Sequence, residues 1–312
     1  MERNNSRQSQ SNRMKITIVG LGLIGGSMAI DLRKAGVATH LIGVDRSEEH
    51  SRRALELGLV DVIEPEDRAL ADTDVVILAI PVNILGALLP QVMDVVHKGT
   101  VVIDAGSTKS MICRSISNHP NRQQFVAAHP IAGTENSGPD AAFSGLFNGM
   151  TNIICEREKS SEHALSVATR IFDALGLHII FMEADEHDRH VAYVSHLSHV
   201  SSFLLGQTVL DIEKDEKNIF NLAGSGLAST VRLAKSSPDM WAPIFEQNAE
   251  YLGQALAEYI MHLQKFHYQL MKRNTKELYR VMKEANKIRK VLDGMGAANR
   301  PAPGPTITHT PS

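Results

Sequence analysis

Gly20-Leu21-Gly22-Leu23-Ile24-Gly25 directly follows the β-branched run Ile16-Thr17-Ile18-Val19 and opens a helical pattern over 24–35. A strand that turns into a helix through G-x-G-x-x-G leaves few architectures open. Gly20 permits the tight turn, Gly22 lets the backbone approach a pyrophosphate, and Gly25 allows the helix to pack close on the strand. Leu23 and Ile24 start the helix, whose unpaired N–H groups and positive dipole end suit phosphates. Asp45 ends the next strand pattern, 40–44, and lies 20 residues after Gly25. An acidic side chain there accepts from the ribose hydroxyls and repels a 2′-phosphate, which favours NAD over NADP. Arg46 keeps NADP open, since a neighbouring cation accommodates that phosphate. Nucleotide binding does not fix the chemistry, and a module that only senses its nucleotide carries the same turn.

Further apolar strand runs occupy 75–80, 101–103, 125–127, 151–155 and 178–182, with helical patterns at 48–57 and 162–175. Strands alternating with helices imply an α/β fold on a parallel sheet. From 185 onward no strand pattern recurs, and 185–212, 230–235, 238–265 and 267–292 have helical spacing. Ser237-Pro238 is the expected start of one of these helices, an N-cap followed by proline. The chain is therefore expected to comprise a disordered leader (1–13), a Rossmann-type NAD-binding domain (14–183), an all-helical domain (184–294) and a disordered tail (295–312). The tail carries Pro301, Pro303, Pro305 and Pro311. A length of 312 residues suits two domains.

Lys plus Arg is 32 and Asp plus Glu is 35, a net charge of −3. That gives no basic surplus for a nucleic-acid or membrane surface, so an anionic ligand must be held by local cations. Two cysteines, Cys113 and Cys155, suit a reducing cytoplasm rather than a disulfide framework. No signal peptide is expected from the polar residues 1–13. The longest apolar stretch, 75–90, is interrupted by Pro81, Asn83 and Gly86, so no transmembrane span is expected.

Three segments carry candidate chemistry. Asp104-Ala105-Gly106-Ser107-Thr108-Lys109 and His129-Pro130-Ile131-Ala132-Gly133-Thr134-Glu135 each follow a strand, where ligands of open α/β sheets sit. His129 has the ordinary pKa of a general base, or it merely caps its strand. In the third segment Asp188, Ser195 and His199 are spaced seven and four apart, which places them on one helical face. They line a site or form a polar seam between helices. His187, His190, His196 and His199 lack accompanying ligands at metal-binding spacing, so no metal is expected. Arg232 offers a planar fork to a carboxylate, or is a solvated helix charge. Trp241, the single tryptophan, is expected in the core or at an interface.

The glycine loop, the Asp104–Lys109 and His129–Glu135 segments, Ser195-His196-Leu197-Ser198-His199 and Arg232-Leu233-Ala234-Lys235-Ser236-Ser237-Pro238 with Trp241 together resemble the prephenate dehydrogenase family over about 14–292. The resemblance implies NAD-dependent oxidative decarboxylation of prephenate in tyrosine biosynthesis. It implies His129 as the base at the ring hydroxyl, assisted by Ser107. Arg232 would clamp a substrate carboxylate, Ser195 and His199 would hold the other polar end, and Glu135 would gate or screen the site. It also implies a homodimer formed through the helical domain. Many members carry a basic residue and an aspartate where this chain has Ala228 and Ser229, so arogenate stays open as substrate. Another Rossmann-plus-helical reductase and a nucleotide-sensing regulatory protein are the competing readings. No ACT-type domain is expected after Leu292, and no chorismate mutase domain before Met14.

Overall fold

The computed structural model describes residues 14–215 and 219–298. The expected leader 1–13 lies outside the described residues, as does 299–312 of the expected disordered tail 295–312; residues 295–298 instead complete the helix Arg289–Ala298. The apolar runs become one eight-stranded sheet: β1 (Met14–Val19), β2 (Ala38–Val44), β3 (Val62–Ile63), β4 (Val75–Leu78), β5 (Val101–Asp104), β6 (Phe125–Pro130), β7 (Thr151–Cys155) and β8 (His178–Met182). Their order is β3-β2-β1-β4-β5-β6-β7-β8. β1 to β6 are parallel, β7 runs antiparallel to β6, and β8 runs parallel to β7. Every residue of β4 and β5 is buried, as central strands covered on both faces require.

On one face Ile16 and Ile18 pack with Met28 and Leu32 of the helix Leu23–Lys34 and with Ile171 and Phe172 of the helix Glu162–Ala174. On the other, Val76, Leu78 and Val102 meet Leu85 and Leu89 of the helix Val82–Val95. The strand order reverses at β1, which pairs with β2 on one side and β4 on the other. The crevice beyond the carboxyl ends of β1 and β4 is therefore the ligand position of this architecture. The strand expected over 75–80 stops at Leu78, because Pro81 has no N–H to donate and caps the next helix. β3 has only two residues, too few for a period-two pattern to register.

The helix expected over 185–212 is interrupted. Ala184–Val191 and Leu197–Asp215 flank a π-helical turn, Ala192–His196. The expected 230–235 helix resolves into Ser225–Thr230 and a 3₁₀ turn, Arg232–Lys235. Pro238–Gln247 starts at Ser237-Pro238 as expected and breaks at Asn248 before Ala249–Met271. Arg273, at φ +54°, ends that helix, and the Asn274 side chain caps Thr275–Ala285 by accepting from Glu277 N–H.

Among the described residues, those up to Ala255 form one compact unit, and those from Leu256 a second. Among the described residues no helix is long and apolar enough to cross a membrane. β8 is the last strand of the sheet, with Ile180 and Phe181 exposed; the Arg157 guanidinium lies 4.5 Å from the Phe181 ring centroid.

Candidate active site

The glycines of the loop differ in what surrounds them. Gly20 has φ +95°, and a Cβ there would stand 2.3 Å from Ala79 O. A Cβ on Gly25 would stand 2.0 Å from Gly20 O. Gly22 differs: a Cβ there meets only Gly138 N, at 4.0 Å. Among the described residues nothing fills that space, which is the opening a pyrophosphate needs beside the helix that starts at Leu23. Asp45 is fixed by accepting from Leu21 N–H and Ser47 N–H, both at 2.9 Å. Its oxygens retain lone pairs for ribose hydroxyls. Arg46 is exposed beside it. These residues fit a dinucleotide.

The segment after β6 is tied to this half of the site. Arg53 donates to Asp140 through Nε and Nη2, at 2.8 and 2.6 Å. Ser27 Oγ accepts from Phe143 N–H, and Asp31 accepts from Ser144 Oγ and Gly145 N–H. One stretch of chain thus starts at His129, carries Glu135, and is pinned to the helices Leu23–Lys34 and Glu48–Glu56.

His129 lies on β6, opposite Ile153 of β7. Its Nδ1 is 2.8 Å from His187 Nε2, and His187 Nδ1 is 2.8 Å from Asp188 Oδ1. Asp188 also accepts from Lys109 N–H at 2.7 Å and Ser110 N–H at 2.8 Å. The tautomers follow from the end of the chain. A carboxylate only accepts, so His187 Nδ1 donates to Asp188 and His187 Nε2 accepts. His129 Nδ1 must then donate to His187, which leaves His129 Nε2 with a free lone pair. Burial, with His187, Lys109 and His196 nearby, pushes the His129 pKa well below the usual histidine value. Burial also lowers His187, against the hydrogen bond it donates to Asp188. For Asp188 burial opposes ionisation, but His187 and the two backbone N–H groups outweigh it and hold the carboxyl below the usual range. The group at the end of β6 is a neutral imidazole able to take a proton.

Beneath it, the fully buried Lys109 ammonium pairs with the Asp104 carboxylate. Asp104 also accepts from Gly106 N–H and Ala128 N–H, joining the ends of β5 and β6. Ser107 is half-buried just past β5.

A second cluster pairs a guanidinium with a carboxylate beside a stacked imidazole. Arg232 Nη1 lies 3.2 Å from Glu135 Oε2, with the guanidinium half-exposed. Its own backbone N–H and Arg232 hold the Glu135 carboxyl below the usual range. His199 stacks on Trp241 with ring centroids 3.5 Å apart, and its Nδ1 donates to Ser195 O at 3.0 Å. Burial and the charge of Arg232 lower the His199 pKa. Arg232, Glu135 and His199 thus share one polar neighbourhood, with Ser195 held through its carbonyl. Asp188 does not join them. Its carboxylate points to His187 and the Lys109-Ser110 backbone, because the π-turn changes the helix register between Asp188 and Ser195. Asn248 links the two clusters: its Nδ2 donates to Asp188 O at 2.8 Å and to His196 Nδ1 at 3.0 Å, and His196 meets Trp241 edge-on.

Spacing alone did not single out His187 as the partner of His129, since the two lie 58 residues apart. Among the described residues no group of three His, Cys, Asp or Glu side chains is placed to hold a metal. Cys113 and Cys155 are buried and free.

Residues 28–181 match the family model for the prephenate dehydrogenase nucleotide-binding domain, and 183–284 match that for the prephenate dehydrogenase dimerization domain. The prephenate dehydrogenase of Lactococcus lactis is 30% identical over 284 residues, covering 89% of this chain and 77% of that protein. The cyclohexadienyl dehydrogenase of Zymomonas mobilis is 30% identical, covering 89% and 95%. The crystal structure of Aquifex aeolicus prephenate dehydrogenase in complex with hydroxyphenyl propionate and NAD+ superposes with a TM-score of 0.82 at 29% identity, covering 89% of this chain and 98% of that one. The Synechocystis arogenate dehydrogenase structure superposes at 0.70, also with 29% identity, covering 89% and 100%.

Proposed function

The chain belongs to the prephenate dehydrogenase family, and we propose that it catalyses NAD-dependent oxidative decarboxylation of prephenate to 4-hydroxyphenylpyruvate in the cytoplasm, as a homodimer. The observation that carries this is the free Nε2 lone pair of His129, fixed by His187 at the carboxyl end of the sheet that also carries the glycine loop. The Asp45 carboxylate at the end of β2, which accepts from ribose hydroxyls and repels a 2′-phosphate, and the open space over Gly22 support NAD as the dinucleotide.

His129 Nε2 accepts the proton of the ring hydroxyl as the carbinol becomes a ketone. Bound NAD supplies the hydride acceptor. The ring carboxylate then leaves as carbon dioxide, and the electrons of the broken C–C bond make the ring aromatic. Ser107 assists at the hydroxyl. Arg232 exchanges Glu135 for a substrate carboxylate, and Ser195 and His199 hold the other polar end. A desolvated dianion requires such fixed donors. Arogenate is the alternative substrate, favoured by the likeness to the Synechocystis structure. Steady-state assays of prephenate and arogenate, each with NAD and NADP, decide between them. Prephenate with NAD is expected to give the highest kcat/KM, and a preference for arogenate or NADP would overturn that part of the proposal. His129→Asn is expected to lower kcat about 10²- to 10⁴-fold while NAD still binds; unchanged turnover would remove His129 as the base.

A further inference from the structure

Behind the base stands a second proton acceptor that the overall reaction does not require. Conversion of prephenate to 4-hydroxyphenylpyruvate and carbon dioxide releases no net proton. The proton taken from the ring hydroxyl is needed again, on the phenolate oxygen that decarboxylation creates. It must therefore be kept for the lifetime of the ketone.

His129 is poorly placed to keep it. The buried Lys109 ammonium and the neighbouring rings of His187 and His196 all disfavour a cation there, and its one ring partner is another imidazole. His187 is better placed. It is fully buried, its Nδ1–H already donates to Asp188, and Asp188 is fixed by two backbone N–H groups. The charged groups facing this chain are Lys109 and Asp104 from the end of β5 and the turn after it; His196, from the π-turn, is neutral.

We propose that His187 and Asp188 are a proton store behind His129. As His129 Nε2 gains the hydroxyl proton, its Nδ1–H bond breaks and that proton forms an N–H bond at His187 Nε2. His129 becomes neutral in its other tautomer, and the imidazolium rests on His187 against the Asp188 carboxylate. The reverse shift returns the proton from His129 Nε2 to the phenolate oxygen. No proton crosses to bulk water within the cycle. His187 and Asp188 are positioning residues, acting through His129.

The proposal rests on His129 being the base, so its test separates the two. In 15N-histidine NMR of the wild-type protein, which needs no substrate, one proton is expected to titrate both rings together, with His187 as the cation. Independent titration of His129 with His187 unchanged would overturn the store. In turnover, His187→Gln keeps a donor toward Asp188 and an acceptor for His129 but holds no proton. It is expected to lower kcat roughly 10- to 100-fold with KM within about threefold. The acid limb of kcat/KM is expected to move to lower pH in His187→Gln, and likewise in Asp188→Asn, because the proton that blocks the wild-type base sits on the His187–Asp188 pair. The solvent-isotope proton inventory is expected to be curved in wild type and linear in His187→Gln. An unmoved acid limb with a curved inventory in His187→Gln would overturn the store while leaving His129 as the base. Wild-type protein that turns over neither prephenate nor arogenate would overturn the functional assignment instead.

Discussion

At the scale of single residues, the helical half of the site is held together by histidines that stay neutral. His196 is fully buried, accepts from Asn248 through Nδ1 and meets Trp241 edge-on. Burial lowers its pKa from the ordinary 6.5 to about 4. The unfolded chain therefore takes up this proton first as pH falls. Stability is expected to decline from about pH 6.5 to about pH 4 and to level off below, by up to about 3 kcal/mol from His196 alone. His129, His187 and His199 are shifted the same way and steepen the decline. Urea unfolding of wild type and His196→Asn between pH 7 and 4 checks this: the variant should show the shallower slope, and parallel slopes would mean that His196 charges freely in the folded protein.

At the scale of elements, the glycine loop separates steric need from ligand need. Gly20→Ala and Gly25→Ala drive a methyl into backbone oxygen and are expected to destabilise the protein by several kcal/mol. Gly22 has φ −77° and open space beside it, so Gly22→Ala should fold with a nearly unchanged Tm and bind NAD at least about tenfold more weakly. Thermal melts with and without NAD distinguish the three. This loop was legible in the sequence because strand, turn and helix are contiguous and each glycine has a local reason. Most strands were legible for the same reason, since continuous Val and Ile runs mark central strands. The π-turn was not. Its inserted register leaves no compositional trace in Ala192-Tyr193-Val194-Ser195-His196, and it sends Asp188 toward the β5 turn instead of toward Ser195. The pairing of His129 with His187 was hidden likewise, because only the packed fold brings β6 against the helix Ala184–Val191.

At the scale of the whole molecule, the helices from Leu256 onward carry Leu263, Met271, Tyr279, Met282 and Leu292, all at least half exposed. Amphipathic helices of this kind bury such side chains against another surface. Residues 183–284 match a dimerization domain, so a second copy is the expected cover. Sedimentation equilibrium should return twice the 34.2 kDa chain mass at micromolar concentration, and a persistent monomer would refute the homodimer. The two ends of the sheet meet solvent differently. β3, with two residues, offers almost no backbone for a stranger to zip onto. β8 offers five residues and two partly exposed apolar side chains, the kind of template on which misassembled sheets grow. The Arg157 cation over the Phe181 ring puts charge and bulk at that margin, the kind of guard that discourages a ninth strand from adding.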